Sequence, residues 1–171
     1  MPHRRHAWIL DHLGAFGMTA VIGLFSVGGA VQQCAPAPAP AIVQVQNVQD
    51  AVVRSTNEQR ANAGLAGVSI DSRLTGAAQS HANDMAQRQT LTHTGSDGSN
   101  AGTRTQRYGY GWTTWAENAA AGQRTAADIM SAWMNSSGHR ANILNAKMVN
   151  IGVAAAQGAN GVTYWVMVLA A

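Results

Sequence analysis

The chain contains a single cysteine, Cys34, and this limits how the fold can be held together. One cysteine cannot form an intrachain disulfide, even in an oxidising compartment. The folded state must therefore be stabilised by packing alone. A chain of 171 residues, 46% of them hydrophobic, is long enough for one compact domain with a sizeable core and too short for two ordinary domains.

Residues 1–34 have the pattern of an export signal. Residues 3–6 form a basic start, and an apolar stretch covers residues 13–31. Three outcomes are open for this segment. A leader peptidase could cut near the small residues Gly28 and Ala30, or Cys34 could be lipidated, although Gln33 is not the small residue that normally precedes such a cysteine. The leader could also remain as a membrane anchor, because its apolar stretch is nearly long enough to span a bilayer. We expect an exported protein that is secreted, periplasmic or envelope-anchored.

Residues 35–41 alternate alanine and proline, which favours a stiff extended spacer and marks a boundary. The folded domain is predicted at residues 42–171. From residue 35 onward the chain carries nine basic and seven acidic side chains, a net charge of +2. This is too little for an electrostatic nucleic-acid footprint, so we expect no nucleic-acid partner.

Four helices are predicted from apolar spacing and capping residues. The first covers residues 42–63, and the second covers residues 71–89 after a cap at Asp71 or Ser72. A polar loop, residues 90–100, carries His93 and leads to a short helix that ends at Tyr108. The fourth helix begins after Thr125 and breaks at Gly138. Its break places His139 in a turn-rich context.

Three strands are predicted from β-branched and aromatic residues. One covers residues 112–121 and carries Glu117 and Asn118. Two more, residues 148–157 and 162–169, flank a glycine-containing turn and form a hairpin. Helices that precede a closing antiparallel hairpin predict an α+β layered domain.

Several strings, in order and spacing, resemble the CAP superfamily of cysteine-rich secretory, antigen 5 and pathogenesis-related proteins, in its bacterial form. They are Asn57-Glu58-Gln59-Arg60-Ala61 with Gly64-Leu65, the Asp71 to Met85 helix, Leu91-Thr92-His93, Glu117-Asn118, Trp133, Ser137-Gly138-His139-Arg140-Ala141-Asn142-Ile143-Leu144, Ile151-Gly152-Val153 and Tyr164-Trp165. The resemblance covers about residues 48–169. It implies a three-layer α-β-α sandwich with a central antiparallel sheet.

The resemblance also implies a cleft in which two histidines and two acidic residues can hold a divalent ion. The matching positions here are His93, Glu117 and His139, whereas the fourth acidic position falls on Ser136. Two imidazoles and one carboxylate are a sufficient set for zinc, with water in an open position. The donor set therefore points to zinc, calcium is kept as the other divalent ion, and Ser136 leaves the ligand set incomplete.

Structural roles are weighed against functional ones for the same residues. A buried Glu117 would need a partner, for which His139 or Arg140 is the candidate. His81 lies on the apolar face of the second helix and is expected to be a core histidine. Ser96 and Ser137 are better explained as loop and cap residues than as nucleophiles.

Two functions follow. The leading hypothesis is a non-catalytic module that binds a lipid or cell-envelope ligand in the cleft formed by His93, Glu117 and His139. The alternative is a metal-assisted, peptidase-like hydrolase in which these three residues are the catalytic candidates. One carboxylate cannot readily serve as both ligand and base, and this favours binding. Contact with a membrane is expected only through a lipidated Cys34 or an uncleaved leader.

Overall fold

The computed structural model describes residues 41–171, with side chains from residue 46 onward. The leader, Cys34 and residues 35–40 of the spacer lie outside the described residues. The elements in chain order are α1 (Ala41–Asn62), β1 (Ser69–Ile70), α2 (Ser72–Arg88), α3 (Ala101–Arg107), β2 (Trp115–Ala121), α4 (Ala126–Asn135), α5 (Ser137–Ile143), β3 (Asn150–Gln157) and β4 (Thr163–Ala170). None of the helices in this part of the chain has the length and apolar character needed to cross a bilayer.

The strands form one sheet in the order β1-β3-β4-β2. β3 and β4 pair antiparallel as the predicted hairpin, and β2 pairs antiparallel with the other side of β4. β1 adds a two-residue parallel pairing at the edge of β3. β2 therefore forms the opposite edge of the sheet. The predicted antiparallel sheet is confirmed, and the parallel edge strand is an addition to it.

Alternation along β4 divides the core into two layers. Trp165, Met167 and Leu169 pack into a cluster with residues of α1, α4 and α5. Val166 and Val168 lie on the other face, in a cluster with residues of α2. Because successive strand residues point to opposite faces, one strand supplies both clusters. The α+β, three-layer α-β-α sandwich predicted from the sequence is confirmed.

The α2 helix lies unusually close to β3. Its buried face is made mainly of alanines with Leu74 and Met85, and it crosses the strand at Gly152. A Cβ atom on Gly152 would overlap the backbone of Leu74 and Thr75. The absence of a side chain at this position therefore sets the distance between helix and sheet.

Arg60, near the end of α1, joins this helix to the loop that follows it and to the segment around the end of α5. The side chain is fully buried and donates hydrogen bonds of 2.8–3.1 Å to the carbonyl oxygens of Ala66, Ile143, Asn145 and Met148. Asn57 adds a reciprocal pair of bonds to the backbone of Val68.

Two predicted boundaries are wrong. β2 begins at Trp115 and not at residue 112, because the backbone N–H groups of Thr113 and Thr114 bond the carbonyl oxygen of Ala171. The helix after Thr125 breaks at Ser136, which has extended backbone angles, and not at Gly138. Gly138 lies inside α5, and His139 is therefore a helical residue.

We expect Gly152→Ala to destabilise the domain by about 1–3 kcal/mol or more, because the methyl group would force α2 away from β3. Gly138→Ala is the matched control, since a Cβ there meets nothing within 4 Å. This control should be neutral or should stabilise the helix by up to about 1 kcal/mol. Urea unfolding measures both, and equal effects of the two changes would contradict the close helix–sheet contact.

Candidate functional site

Glu117 and Asn118 are neighbours on β2, the edge strand, and they point to opposite faces of the sheet. The Glu117 side chain lies within reach of His81 on α2 and Arg104 on α3. Asn118 instead bonds residues of α5, with its Nδ2 atom donating to the carbonyl oxygen of His139 at 3.1 Å. The strand thus places a carboxylate in one helical layer and an amide in the other.

Both carboxylate oxygens of Glu117 are occupied by protein donors. The side chain is only 3% exposed, and its Oε1 atom accepts a hydrogen bond of 2.9 Å from Nδ1 of His93. Its Oε2 atom accepts one of 2.6 Å from the guanidinium group of Arg104. A buried carboxylate requires such compensation, because transfer of an unpaired charge out of water is costly.

The predicted partners of Glu117 are therefore wrong in detail. His139 and Arg140 were the candidates, but Arg140 lies on the exposed side of α5 and donates to the carbonyl oxygen of Met134. The observed partners are His93 and Arg104. The prediction that a buried Glu117 needs a partner was correct, but the identity of that partner depends on how α3 packs against β2.

Arg104 is the functional residue that sequence reasoning missed. It is 4% exposed and also donates to the carbonyl oxygens of Ser99 and His93, so it fixes the loop that carries His93. Its helix can approach β2 because Gly102 leaves room for the ring of Trp115. The available signal was indirect: a buried glutamate needs a cation, and α3 is a short helix with a basic residue on its buried face.

His81 lies in the core, as its position on the apolar face predicted. Its Nε2 atom lies 2.8 Å from the carbonyl oxygen of Thr92 and must carry the proton, since a carbonyl only accepts. Burial lowers the pKa of His81 below its usual value. The ring is therefore neutral and supports the base of the His93 loop.

His139 approaches the same region from the other layer. Its ring centroid is 6.4 Å from that of His93, at an angle of 51°. Asn142, one turn further along α5, donates to the carbonyl oxygen of Glu117 and to the side chain of Asn118. These bonds hold α5, and with it His139, against the edge of β2.

A cavity of about 340 Å³, the edge cleft, opens over this strand. Its lining combines polar groups with the rings and methyl groups of apolar residues. The lining residues are His93, Asn100, Ala101, Trp115, Ala116, Glu117 and Asn142. The edge cleft thus has apolar walls and a few fixed polar groups, as small-molecule sites generally do.

The donors present do not fit a metal ion in this arrangement. Glu117 is already bonded to His93 and to a guanidinium group, whose positive charge opposes a cation on the same carboxylate. Ser136, at the position of the fourth acidic ligand, is the joint between α4 and α5. Within residues 41–171, no three His, Cys, Asp or Glu side chains are grouped so that they could hold a metal.

The two serines weighed as nucleophiles, and the four tryptophans of residues 46–171, have local roles. The N–H group of Ser96 donates to Asp84. The cap role predicted for Ser137 is wrong, because Ser136 is the N-cap residue of α5 and Ser137 is the first helical residue. Trp133 and Trp165 belong to the core. Trp112 and Trp115 pack edge to face, with ring centroids 6.2 Å apart. Of these four described tryptophans, Trp115 alone lines the edge cleft.

The chain is similar in sequence to proteins of one known family. The sequence model described as "CAP: Cysteine-rich secretory protein family" matches residues 53–169. The Bacillus subtilis (strain 168) protein YkwD is 36% identical over 102 residues, which cover 60% of this chain and 40% of YkwD. The chain therefore spans less than half the length of this curated relative.

Two solved structures share the fold. An outer surface protein of Borrelia burgdorferi superposes with a TM-score of 0.69 at 21% identity, covering 74% of this chain and 93% of that protein. An extracellular protein containing an SCP domain from Bacillus anthracis strain Ames superposes with a TM-score of 0.68 at 23% identity, covering 78% of this chain and 44% of that protein.

We expect His93, which lines the edge cleft, and His139, which does not, to titrate on opposite sides of their ordinary value of about 6.5. The hydrogen bond to Glu117 raises the pKa of His93, whereas burial, and then the charge of His93, lowers the pKa of His139. NMR titration of the imidazole protons measures both. Glu117→Gln should bring His93 back toward its ordinary value and leave His139 below it, and identical titration of the two rings in the native protein would contradict this geometry.

The sign of the pH effect on stability also differs between them. The contribution of His93 is complete below a pH of about 6.5 and is lost as the pH rises through its higher folded-state pKa. The contribution of His139 is complete above that pH and is lost as the pH falls through its lower folded-state pKa. In His93→Ala the unfolding free energy should therefore lose a component that falls as the pH rises. In His139→Ala it should lose a component that rises with the pH.

Proposed function

Because the chain belongs to the cysteine-rich secretory protein (CAP) family, we propose that it is an exported, non-catalytic module that binds a lipid or other cell-envelope ligand in the edge cleft. Family membership alone does not carry this function, since one fold supports many activities. The support comes from the state of Glu117 and from the lining of the cleft.

The engagement of Glu117 is the observation that carries the proposal. A general base or a metal ligand must present an accessible oxygen atom to the reacting group. Both oxygens of Glu117 face protein donors at 2.9 and 2.6 Å, and the side chain is 3% exposed. The role of this carboxylate is therefore structural: it orients the ring of His93 and neutralises the charge of Arg104.

The lining of the edge cleft suits an amphipathic ligand. Trp115, Ala101 and Ala116 provide apolar surface, and His93 and Asn142 lie among them as polar groups. The His93 side chain is 59% exposed, so it can contact a ligand head group while its Nδ1 atom stays bonded to Glu117. An apolar portion would then lie against the indole ring.

Export is supported by the leader pattern and by relatives. Residues 1–34 combine a basic start with an apolar stretch. The solved relatives include an outer surface protein and an extracellular protein. We propose the same side of the membrane for this domain, with cleavage, lipidation at Cys34 or retention of the leader as the alternative routes.

A metal-assisted hydrolase is the second candidate, and the proximity of His93 and His139, whose ring centroids are 6.4 Å apart, is the observation in its favour. Zinc or calcium held there would polarise a bound water or carbonyl group. The two rings and Glu117 would have to rearrange to form a ligand set, and Arg104 would have to release the carboxylate. The observed contacts therefore favour binding.

We expect the full chain to bind monomeric dihexanoyl phosphatidylglycerol, used as the amphipathic probe, with saturation in calorimetry. His93→Ala should weaken binding about tenfold, equivalent to 1.4 kcal/mol, because it removes the exposed polar group of the cleft. Ser137→Ala is the matched control, since this exposed residue lies on the neighbouring helix but does not line the cavity. It should bind as the native protein does.

Two results would contradict the proposal. Absence of saturable binding in the native protein would remove the cleft as an amphipathic site. Saturable binding of zinc or calcium that disappears in the double variant His93→Ala and His139→Ala, together with metal-dependent cleavage of a protein substrate such as casein, would establish the hydrolase instead.

A further inference from the structure

A second cavity of about 360 Å³, here called the α2–α3 pocket, lies behind the Glu117 site. Residues of α2, of the loop 95–99 and of α3 line it, and Tyr108 stands at the end of α3. Arg104 belongs to this lining and bonds Glu117, which lines the edge cleft. The two cavities therefore meet at the same ion pair but have different walls.

Two buried polar atoms in the lining residues have no hydrogen-bond partner within residues 46–171. They are Nδ1 of His81 and Nε of Arg104, whose side chains are 0% and 5% exposed. Because Nε2 of His81 donates to Thr92, its Nδ1 atom is a bare acceptor. Nε of Arg104 is a bare donor. Each unsatisfied group costs free energy, and because neither atom is exposed at the pocket surface, a ligand would have to displace the wall to reach it.

The charges around the α2–α3 pocket cancel. Asp84 pairs with Arg88 at 2.5 Å, Asp97 pairs with Arg107, and Arg104 pairs with Glu117. An anionic or cationic ligand would therefore find no uncompensated partner among these groups. The paired carboxylates retain acceptor capacity, because each can accept about four hydrogen bonds. The balance favours a neutral ligand with several donor groups.

The walls of the pocket are preformed. The loop is closed by backbone bonds from Gly95 to Ser99 and from Gly98 to Gly95. Ser96 is bonded through its N–H group to Asp84 at 3.1 Å, which ties the loop to α2. A preformed site avoids the cost of ordering a loop when a ligand binds.

The rim carries an exposed aromatic residue and hydroxyl groups. Tyr108 is 45% exposed and lines the pocket together with Ser80, Ser96 and Ser99. An aromatic ring offers an apolar face to the C–H groups of a sugar, while hydroxyls and carboxylates bond its hydroxyl groups. The volume lies within the range of about 300–1,000 Å³ found for small-ligand sites.

From these observations we propose that the α2–α3 pocket binds a single neutral sugar residue. A hydroxyl group both donates and accepts, so the hydroxyls of a sugar can bond the serine hydroxyls of the lining and the remaining lone pairs of Asp84 and Asp97. This site is separate from the edge cleft and does not require the function proposed for it.

The test is a titration of the isotope-labelled full chain with N-acetylglucosamine, followed by backbone amide NMR. We expect saturable shifts at Gly95, Ser96 and Ser99, with a dissociation constant on the order of 1 mM. Tyr108→Ala should weaken binding about tenfold, equivalent to 1.4 kcal/mol. Ser96→Leu should abolish it by filling the pocket, since its backbone bond to Asp84 does not involve the side chain.

Two controls separate this proposal from the edge cleft. His93→Ala should bind the sugar as the native protein does, and Leu91→Ala, an exposed apolar residue outside the pocket, should also be unaffected. Absence of saturation by roughly 100 mM sugar would overturn the proposal. Binding of the anionic sugar glucuronate with the same affinity as N-acetylglucosamine would also overturn the proposal, as would native affinity in Ser96→Leu. Both outcomes are independent of the result in the edge cleft.

Discussion

The ion pair between Glu117 and Arg104 is the interaction on which the arrangement of the site depends. Both side chains are at least 95% buried and lie 2.6 Å apart. A buried charge without a partner would destabilise the fold by several kcal/mol, so each residue requires the other. Arg104 also holds the backbone of His93 and Ser99. One guanidinium group thus joins α3, the His93 loop and the edge strand.

The rest of the fold brings this pair together by simple packing rules. Alternation on β4 supplies two apolar clusters, and Gly152 lets α2 lie against the sheet. Arg60 holds α1 to the segment that follows α5. With the layers fixed on both faces, the edge of β2 is where side chains from the two layers can meet. Glu117 and Asn118 lie at this edge.

Much of the fold could be predicted because its signals are local. The face of α2, its cap at Asp71 and the hairpin of β3 and β4 follow from residue spacing and turn chemistry. β1 was missed because a two-residue strand exists only through its pairing with β3. Arg104 was missed for a similar reason. Its role depends on a contact with Glu117, thirteen residues away, across two separately folded elements.

The most direct test of the central role of this ion pair is a double-mutant cycle of Glu117→Gln and Arg104→Met, measured by urea unfolding at neutral pH. If the two groups compensate each other, each single change should be strongly destabilising. The double change should then cost less than their sum by about 0.5–3 kcal/mol. Effects that add within about 0.5 kcal/mol would show that Glu117 does not depend on Arg104, and would contradict the central role of the ion pair.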